Sequence, residues 1–262
     1  MNSIVKRIEY RGHNINIYHD DDVENPRDWG TAGTIACFSV RYALGDKHSY
    51  NNSVSGFLCA LVEETCKREE IAAALLSMGQ LSMDDIDEIN ANPYYYMRSV
   101  DAASTFYLSI LDRHVVILPI FLYDHSGITI RTSPFSCSWD SGQVGYIYIT
   151  YEKAKQEYGF ETIDQGAVEK IKAYLINEVN IYDQYLTGDV YYYTVEPKEN
   201  NKMPGCTDSC GGFYGHDFEM NGLMESARDC IDFAIDEYKK QMYIKHKRNK
   251  EAIAALRYAW TV

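Results

Sequence analysis

The chain predicts an α+β fold, an antiparallel sheet packed with helices. Three observations predict it. Short runs rich in Ile, Val and Tyr lie at 4–19, 34–42, 115–150 and 189–196. Longer segments with apolar residues at helical spacing lie at 55–78, 93–112, 164–185 and 217–256. Strands and helices come in runs rather than in strict alternation, which is the pattern of α+β and not of a doubly wound sheet. With 262 residues and 46% hydrophobic content, the chain is long enough to bury one large core or two modest domains. Residues 1–262 are read as a single α+β domain with a basic helical tail at about 239–262.

Residues 4–10 and 14–19 read as a hairpin turning at Arg11-Gly12. Asp20-Asp21-Asp22 opens an acidic loop through Pro26, Trp29 and Gly30. Residues 34–42 (TIACFSVRY) read as a buried strand ended by the turn Leu44-Gly45-Asp46-Lys47-His48. Leu58, Leu61, Val62, Thr65 and Cys66 recur at helical spacing in a helix over 55–78, which Gly79 closes. Ser82 and Asp85 make a capping box for an acidic helix over 84–90. Pro93 suits the first turn of a helix running to Asp112. Residues 115–123 (VVILPIFLY) are a rich apolar run in which Pro119 predicts a bulge or an edge position. The turn Asp124-His125-Ser126-Gly127 returns the chain into 128–132, and 144–151 (VGYIYITY) alternates cleanly, so these three runs predict one antiparallel sheet. Helices are predicted over 151–158 and 164–185, and a strand over 189–196. A loop rich in Gly, Pro and Asn follows over 197–216, then a long helix over 217–256, or two with a break near His246.

Net charge is −13 and unevenly spread. Residues 239–262 carry seven Lys/Arg against Glu251, a net of +6, so the rest of the chain stands at −19. Such a body repels nucleic acid and attracts basic surfaces, and direct nucleic-acid binding by it is not expected. No P-loop and no G-x-G-x-x-G joins a strand to a helix, and no cofactor is expected. No run reaches the length of a membrane span, and residues 1–19 lack the apolar stretch of a secretory leader. Of seven cysteines, Cys37, Cys59 and Cys66 sit in apolar runs, which suits free thiols in a reducing compartment. A cytoplasmic protein without a membrane partner is the expectation. Tyr is abundant, 23 against 9 Phe, and its apolar body and polar tip suit half-buried sheet faces and contact surfaces.

The stretch densest in reactive residue types is 124–145, DHSGITIRTSPFSCSWDSGQVG. Cys137, His125, Asp140 and Gln143 offer a nucleophile, a base and orienting groups. Cys210 with His216 and Asp217 is a second such set. One expectation is therefore a small hydrolytic enzyme built from the 124–145 and 206–216 loops, with His125, Asp140, Cys137 and Cys210 as catalytic candidates. Neither set fits an elbow such as G-x-S-x-G. Cys206, Cys210 and His216 are candidate zinc ligands, with Asp208 or Asp217 as a fourth. Their spacing is not the tight C-x2-C of structural sites, and no metal is expected. The carboxylates Asp20, Asp21, Asp22, Asp84, Asp85, Asp87 and Glu88 are candidate partner-binding residues. An array of carboxylates can imitate a duplex, which carries one charge per about 1.7 Å of axis.

Four blocks carry a family resemblance. The first is Arg27-Asp28-Trp29 with Gly33-Thr34, continuing through Cys37-Phe38, Arg41-Tyr42 and Leu44-Gly45-Asp46-Lys47-His48. The second is DHSGITI…PFSC.WDSGQVG. The third is Tyr182-Asp183-Gln184-Tyr185-Leu186-Thr187-Gly188-Asp189-Val190-Tyr191, and the fourth is Asp208-Ser209-Cys210-Gly211-Gly212-Phe213-Tyr214-Gly215. Together they resemble a largely uncharacterised family of proteins encoded by phages and prophages. The family pattern carries a Trp after the cysteine of the fourth block, where this chain has Gly211. The resemblance brings a context rather than a chemistry. With the acidic body, it implies a protein that acts by binding and inhibits a host defence system of anti-CRISPR or anti-restriction type. Its partner would be a host protein with a basic surface, such as a nucleic-acid-processing defence enzyme. A virion or replication accessory protein is a further expectation.

Overall fold

The computed structural model describes residues 3–50, 53–78, 81–99, 104–199 and 206–259, without the side chains of 254–259. Gly79, read as a helix terminator, lies outside the described residues. The chain opens with β1 (Lys6–Tyr10), β2 (His13–His19), a turn of 3-10 helix at Pro26–Trp29 and β3 (Thr34–Cys37). Helices α1 (Val54–Thr65), α2 (Arg68–Leu76), α3 (Met83–Ala91), α4 (Pro93–Ser99) and α5 (Ser104–Leu111) follow. Then come β4 (Val115–Asp124), β5 (Ile128–Arg131), β6 (Ser141–Thr150), α6 (Tyr151–Tyr158) and α7 (Gln165–Thr187). The chain ends in β7 (Val190–Pro197), β8 (Asp208–Tyr214) and α8 (Leu223–Ala259).

The fold is α+β. The strands divide between two four-stranded antiparallel sheets, ordered β1-β2-β7-β8 and β3-β6-β4-β5. The chain clusters into two compact units, Met1–Glu24 with Gly188–Val262, and Asn25–Thr187, where the sequence reading treats 1–262 as one domain. Among the described residues, no helix is long and apolar enough to cross a membrane.

In the first unit, the predicted hairpin forms with Arg11 and Gly12 both at positive φ, 45° and 80°, as a tight two-residue turn requires. Ile15 and Ile17 of β2 pair with Val195 and Tyr193 of β7, and all four are buried on one face. Leu223, Met224, Ala227, Ile231 and Ile235 of α8 recur every three or four residues and cover that face. Beyond Ile235, no described side chain of α8 is buried. There the helix exposes Met242, Tyr243 and Ile244 among the cations of the basic tail.

The 197–216 loop of the sequence reading needs correction, because Asp208–Tyr214 is an edge strand paired with β7. Its glycines hide it from a strand pattern. Tyr191 faces Phe213 and Tyr193 faces Cys210, so Gly211 and Gly212 together oppose Tyr192 in a bulge, with Gly212 at φ 79°. A Cβ on Gly211 would strike the Asp20 carboxylate, which accepts the Gly212 N–H at 3.0 Å. A side chain at Gly211 would have to displace that carboxylate.

In the second unit, strand alternation feeds two cores. Ile35, Cys37, Val116, Ile147 and Ile149 face α7, which contributes Ile171, Leu175, Val179 and Tyr182. Ala36, Val115 and Tyr146 face the other way, toward α1, α4 and α5. The strand read over 34–42 ends at Cys37, because the chain doubles back and Gly45 bridges Ala36. The helix read over 55–78 is two helices, broken where Cys66 and Lys67 are extended (ψ 147° and 151°). Of the helix read over 93–112, α4 and α5 are described, and residues 100–103 between them lie outside the described residues. Ser82 and Asp85 make the predicted capping box. Pro119 sits where β4 is paired by β6 alone, since β5 reaches only Phe121–Asp124, and the register shifts beside it at Ile120/Phe121.

Candidate functional site

The polar residues of the first three motif blocks form a hydrogen-bonded frame in the second unit. Arg27 is the centre of one half. Its guanidinium, 4% exposed, donates to both Asp46 oxygens (2.9 and 2.7 Å), to Glu178 (3.2 Å) and to the Gly33 carbonyl (2.6 Å). Asp46 and Glu178 in turn accept the N–H groups of Ile35 (2.7 Å) and Gly33 (3.0 Å). Asp124 is the centre of the other half. It accepts from Arg41 (2.6 Å) and the Tyr42 hydroxyl (2.9 Å), and its N–H donates to the Asp140 carbonyl (2.8 Å). The Tyr182 hydroxyl accepts the Gly45 N–H at 3.0 Å, and Asp183 accepts from Thr129 and Ile130 at 2.8 and 2.7 Å. These residues tie loops to strands and so rigidify the 38–46 and 124–145 segments.

The 124–145 loop does bring His125, Asp140 and Cys137 together. His125 Nδ1 lies 3.4 Å from Asp140 Oδ2, and Cys137 Sγ lies 3.8 Å from the same oxygen. The order is wrong for nucleophilic catalysis. A base must touch the nucleophile and be oriented by the acid, whereas here the carboxylate stands between thiol and imidazole. Gln143 turns back to the Gly145 carbonyl at 3.4 Å. What the loop offers outward is aromatic. Trp139 is 95% exposed. Tyr123 stacks on His125 and Phe135, and the Arg131 guanidinium sits 3.9 Å over the Phe135 ring. Val40, fully exposed, precedes the Arg41 that Asp124 holds.

Cys210 and the rest of the 206–216 segment belong to the first unit, and the 124–145 loop to the second. Cys206 meets Cys230 rather than Cys210, which is exposed, and His216 pairs with Asp189 at 3.3 Å. Among the described residues, no three His, Cys, Asp or Glu side chains are grouped to hold a metal ion. The acidic candidates fall in both units. Asp20, Asp21 and Asp22 lie in the first unit, and Asp84, Asp85, Asp87 and Glu88 on α3 of the second. Asp20 holds the β8 bulge and Asp85 the α3 cap, whereas Asp21, Asp22, Asp84, Asp87 and Glu88 are exposed.

Sequence reasoning missed a groove of about 490 Å³ lined by Glu69, Glu70, Ser109, Ile110, Arg113 and His114. His114 Nε2 lies 3.2 Å from Glu70 Oε2. The Lys67 N–H, and after it His114, hold the Glu70 carboxyl below its ordinary value. The two hydroxyls lining it, Ser77 and Ser109, donate to the Ala74 and Phe106 carbonyls at 2.6 and 2.7 Å, so His114 activates neither. The legible signal was Arg113-His114, two basic residues between an apolar helix and an apolar strand.

Burial, with Asp46 adding to it, pushes the Cys37 thiol from its ordinary 9.0 up to about 12. Between those values the unfolded chain has lost a proton that the folded chain keeps, so stability falls as pH rises. The slope from this one group is about 1.4 kcal/mol per pH unit. Urea midpoints taken from pH 9 to 10.5 are expected to fall more steeply in the wild type than in Cys37→Ala. Parallel slopes would show that Cys37 ionises freely in the fold.

Comparison with protein-family models, with curated proteins and with solved structures finds no match to this chain.

Proposed function

We propose that this protein acts by binding a protein partner, with the 124–145 loop of the second unit as the contact element. The observation that carries the reading is Trp139, 95% exposed on a loop whose base is pinned through Asp124 and Asp140. A large aromatic held in water on a rigid frame keeps its hydration cost until a partner covers it, and Trp and Arg dominate the energetics of interfaces. Arg41 is held by the same Asp124 and follows the fully exposed Val40. The thiol–carboxylate–imidazole order supports binding over hydrolysis.

The resemblance to phage-encoded proteins, together with the −19 charge outside the tail, makes the proposed partner a host defence enzyme with a basic surface. The exposed carboxylates Asp21, Asp22, Asp84, Asp87 and Glu88 would steer it toward the complex rather than supply most of the affinity. The test is capture from nuclease-treated host lysate by wild-type protein, by Trp139→Ala and by the triple change D84N/D87N/E88Q. One stoichiometric partner is expected with the wild type. Trp139→Ala is expected to weaken binding by about 2 kcal/mol or more, roughly 30-fold in Kd. The triple change is expected to slow association and flatten its salt dependence. Full retention of the partner by Trp139→Ala would overturn the loop assignment.

A further inference from the structure

Two of the seven cysteines are placed to react with each other, in a part of the first unit that the binding reading does not use. Both are thiols. Cys206 Sγ lies 2.9 Å from Cys230 Sγ. That is closer than unbonded carbon atoms pack, about 3.5–4.0 Å, and longer than a disulfide bond, about 2.03–2.05 Å.

The approach is held from several sides. The fully buried His13 accepts the Cys206 N–H on Nε2 at 3.2 Å, while its Nδ1 lies 3.1 Å from the Arg11 carbonyl. The neutral ring with its proton on Nδ1 satisfies both contacts. This fixes the Cys206 backbone just before β8. Cys230 rides on α8 next to the buried Ile231, and its thiol donates to Asp208 Oδ2 at 3.3 Å. Asp208 is the nearest carboxylate, yet the three side chains do not make a metal-holding group. Cys210, four residues on, is exposed and points its thiol only toward the Gly211 carbonyl.

We propose that Cys206 and Cys230 form a reversible disulfide site, closed by thiol–disulfide exchange with a glutathione-type disulfide. Cys230 is the less buried of the two and reacts first. Its thiolate attacks one glutathione sulfur and expels a glutathione thiolate. The Cys206 thiolate then attacks the Cys230 sulfur of the mixed disulfide and expels the second glutathione. One S–S bond breaks and one forms. The cysteine pair is oxidised, the glutathione disulfide is reduced, and the two protein protons end on two glutathione thiols. Burial, then Cys206 and Asp208, raise the Cys230 pKa, so closure is slow at neutral pH and quickens as pH rises. The bridge ties the entry of the edge strand β8 to α8 and encloses the whole strand in a covalent loop.

The experiment uses the full chain, incubated with oxidised glutathione or with dithiothreitol, alkylated, and mapped by mass spectrometry without reduction. The expected product is a Cys206–Cys230 cross-linked peptide pair, two hydrogens lighter than the free peptides and lost on adding dithiothreitol. Its rate of formation is expected to rise about tenfold per pH unit from pH 7 to 8. Cys230→Ser should give no such pair, while its Cys210 takes up glutathione as the wild type does. Oxidation should raise the Tm of the wild type and leave that of Cys230→Ser unchanged. The proposal is overturned if Cys206 and Cys230 are alkylated equally before and after oxidation while Cys210 has taken up glutathione. It is also overturned if Cys230 links to Cys210 instead.

Discussion

Replacing Arg27 with alanine is expected to cost about 3–5 kcal/mol of the folding free energy of the 25–187 unit. The guanidinium is nearly out of reach of solvent and serves four acceptors at once: two oxygens of Asp46, one of Glu178 and the Gly33 carbonyl. Desolvation works against its charge, and hydrogen bonds and attraction from Asp46 and then Glu178 outweigh it, so its pKa is raised. Alanine leaves two half-buried carboxylates with no cation between them. The damage spreads, because Asp46 holds the β3 backbone at Ile35 and Glu178 holds the Gly33 N–H. Arg27→Lys keeps the charge and loses the planar fork, so it is expected to recover only part of the loss. Urea unfolding followed by the fluorescence of Trp29 and Trp139 measures both variants. A loss below about 1 kcal/mol for alanine would mean that water reaches the carboxylates and that Arg27 is not the keystone of the frame.

Gly145→Ala is expected to destabilise the same unit by about 3 kcal/mol or more, while Gly142→Ala in the same motif is expected to be neutral or slightly stabilising. Gly145 faces Cys37 across the β3–β6 pair. A Cβ there would sit 2.8 Å from Cys37 Cα and closer still to the Ala36 carbonyl oxygen, both backbone atoms that cannot rotate aside. The strand pair would have to part, and with it the Phe38 N–H bond to the Val144 carbonyl. At Gly142 a Cβ meets nothing within 4 Å. Alanine there only narrows the unfolded ensemble. Thermal unfolding of the two variants side by side reads the contrast, and equal Tm values would refute the steric account.

The two glycines mark where sequence reasoning stops. Both stand in Asp140-Ser141-Gly142-Gln143-Val144-Gly145 and look alike, yet only the neighbouring strand makes one of them indispensable. The 124–145 loop was legible as a cluster, because His125, Cys137 and Asp140 are close in the chain. Their order was not legible. Which oxygen the thiol and the imidazole share depends on how the loop is anchored to Asp124 and its partners, and Arg41 and Tyr42 reach Asp124 from some 80 residues away. Arg27, Asp46, Tyr182 and Asp183 of the motif blocks hold backbone groups. Trp139 stood in the motif throughout, but exposure is not a property that composition or periodicity can report.

The sequence by itself determined what depends on near neighbours: the Arg11-Gly12 hairpin turn, the Ser82–Asp85 cap, the alternation of β6 and the α+β class. Each follows from backbone conformation and side-chain period over a few residues. Only the tertiary structure decided what depends on distant partners. The strands were separated into two sheets because β2 pairs with β7 and β3 with β6, each more than 100 residues away. The glycine-rich segment became a strand because β7 offers it an edge. Arg27, Asp46 and Glu178 met in one ion cluster, and Cys206 met Cys230, because packing brings together groups whose spacing in the chain follows no period.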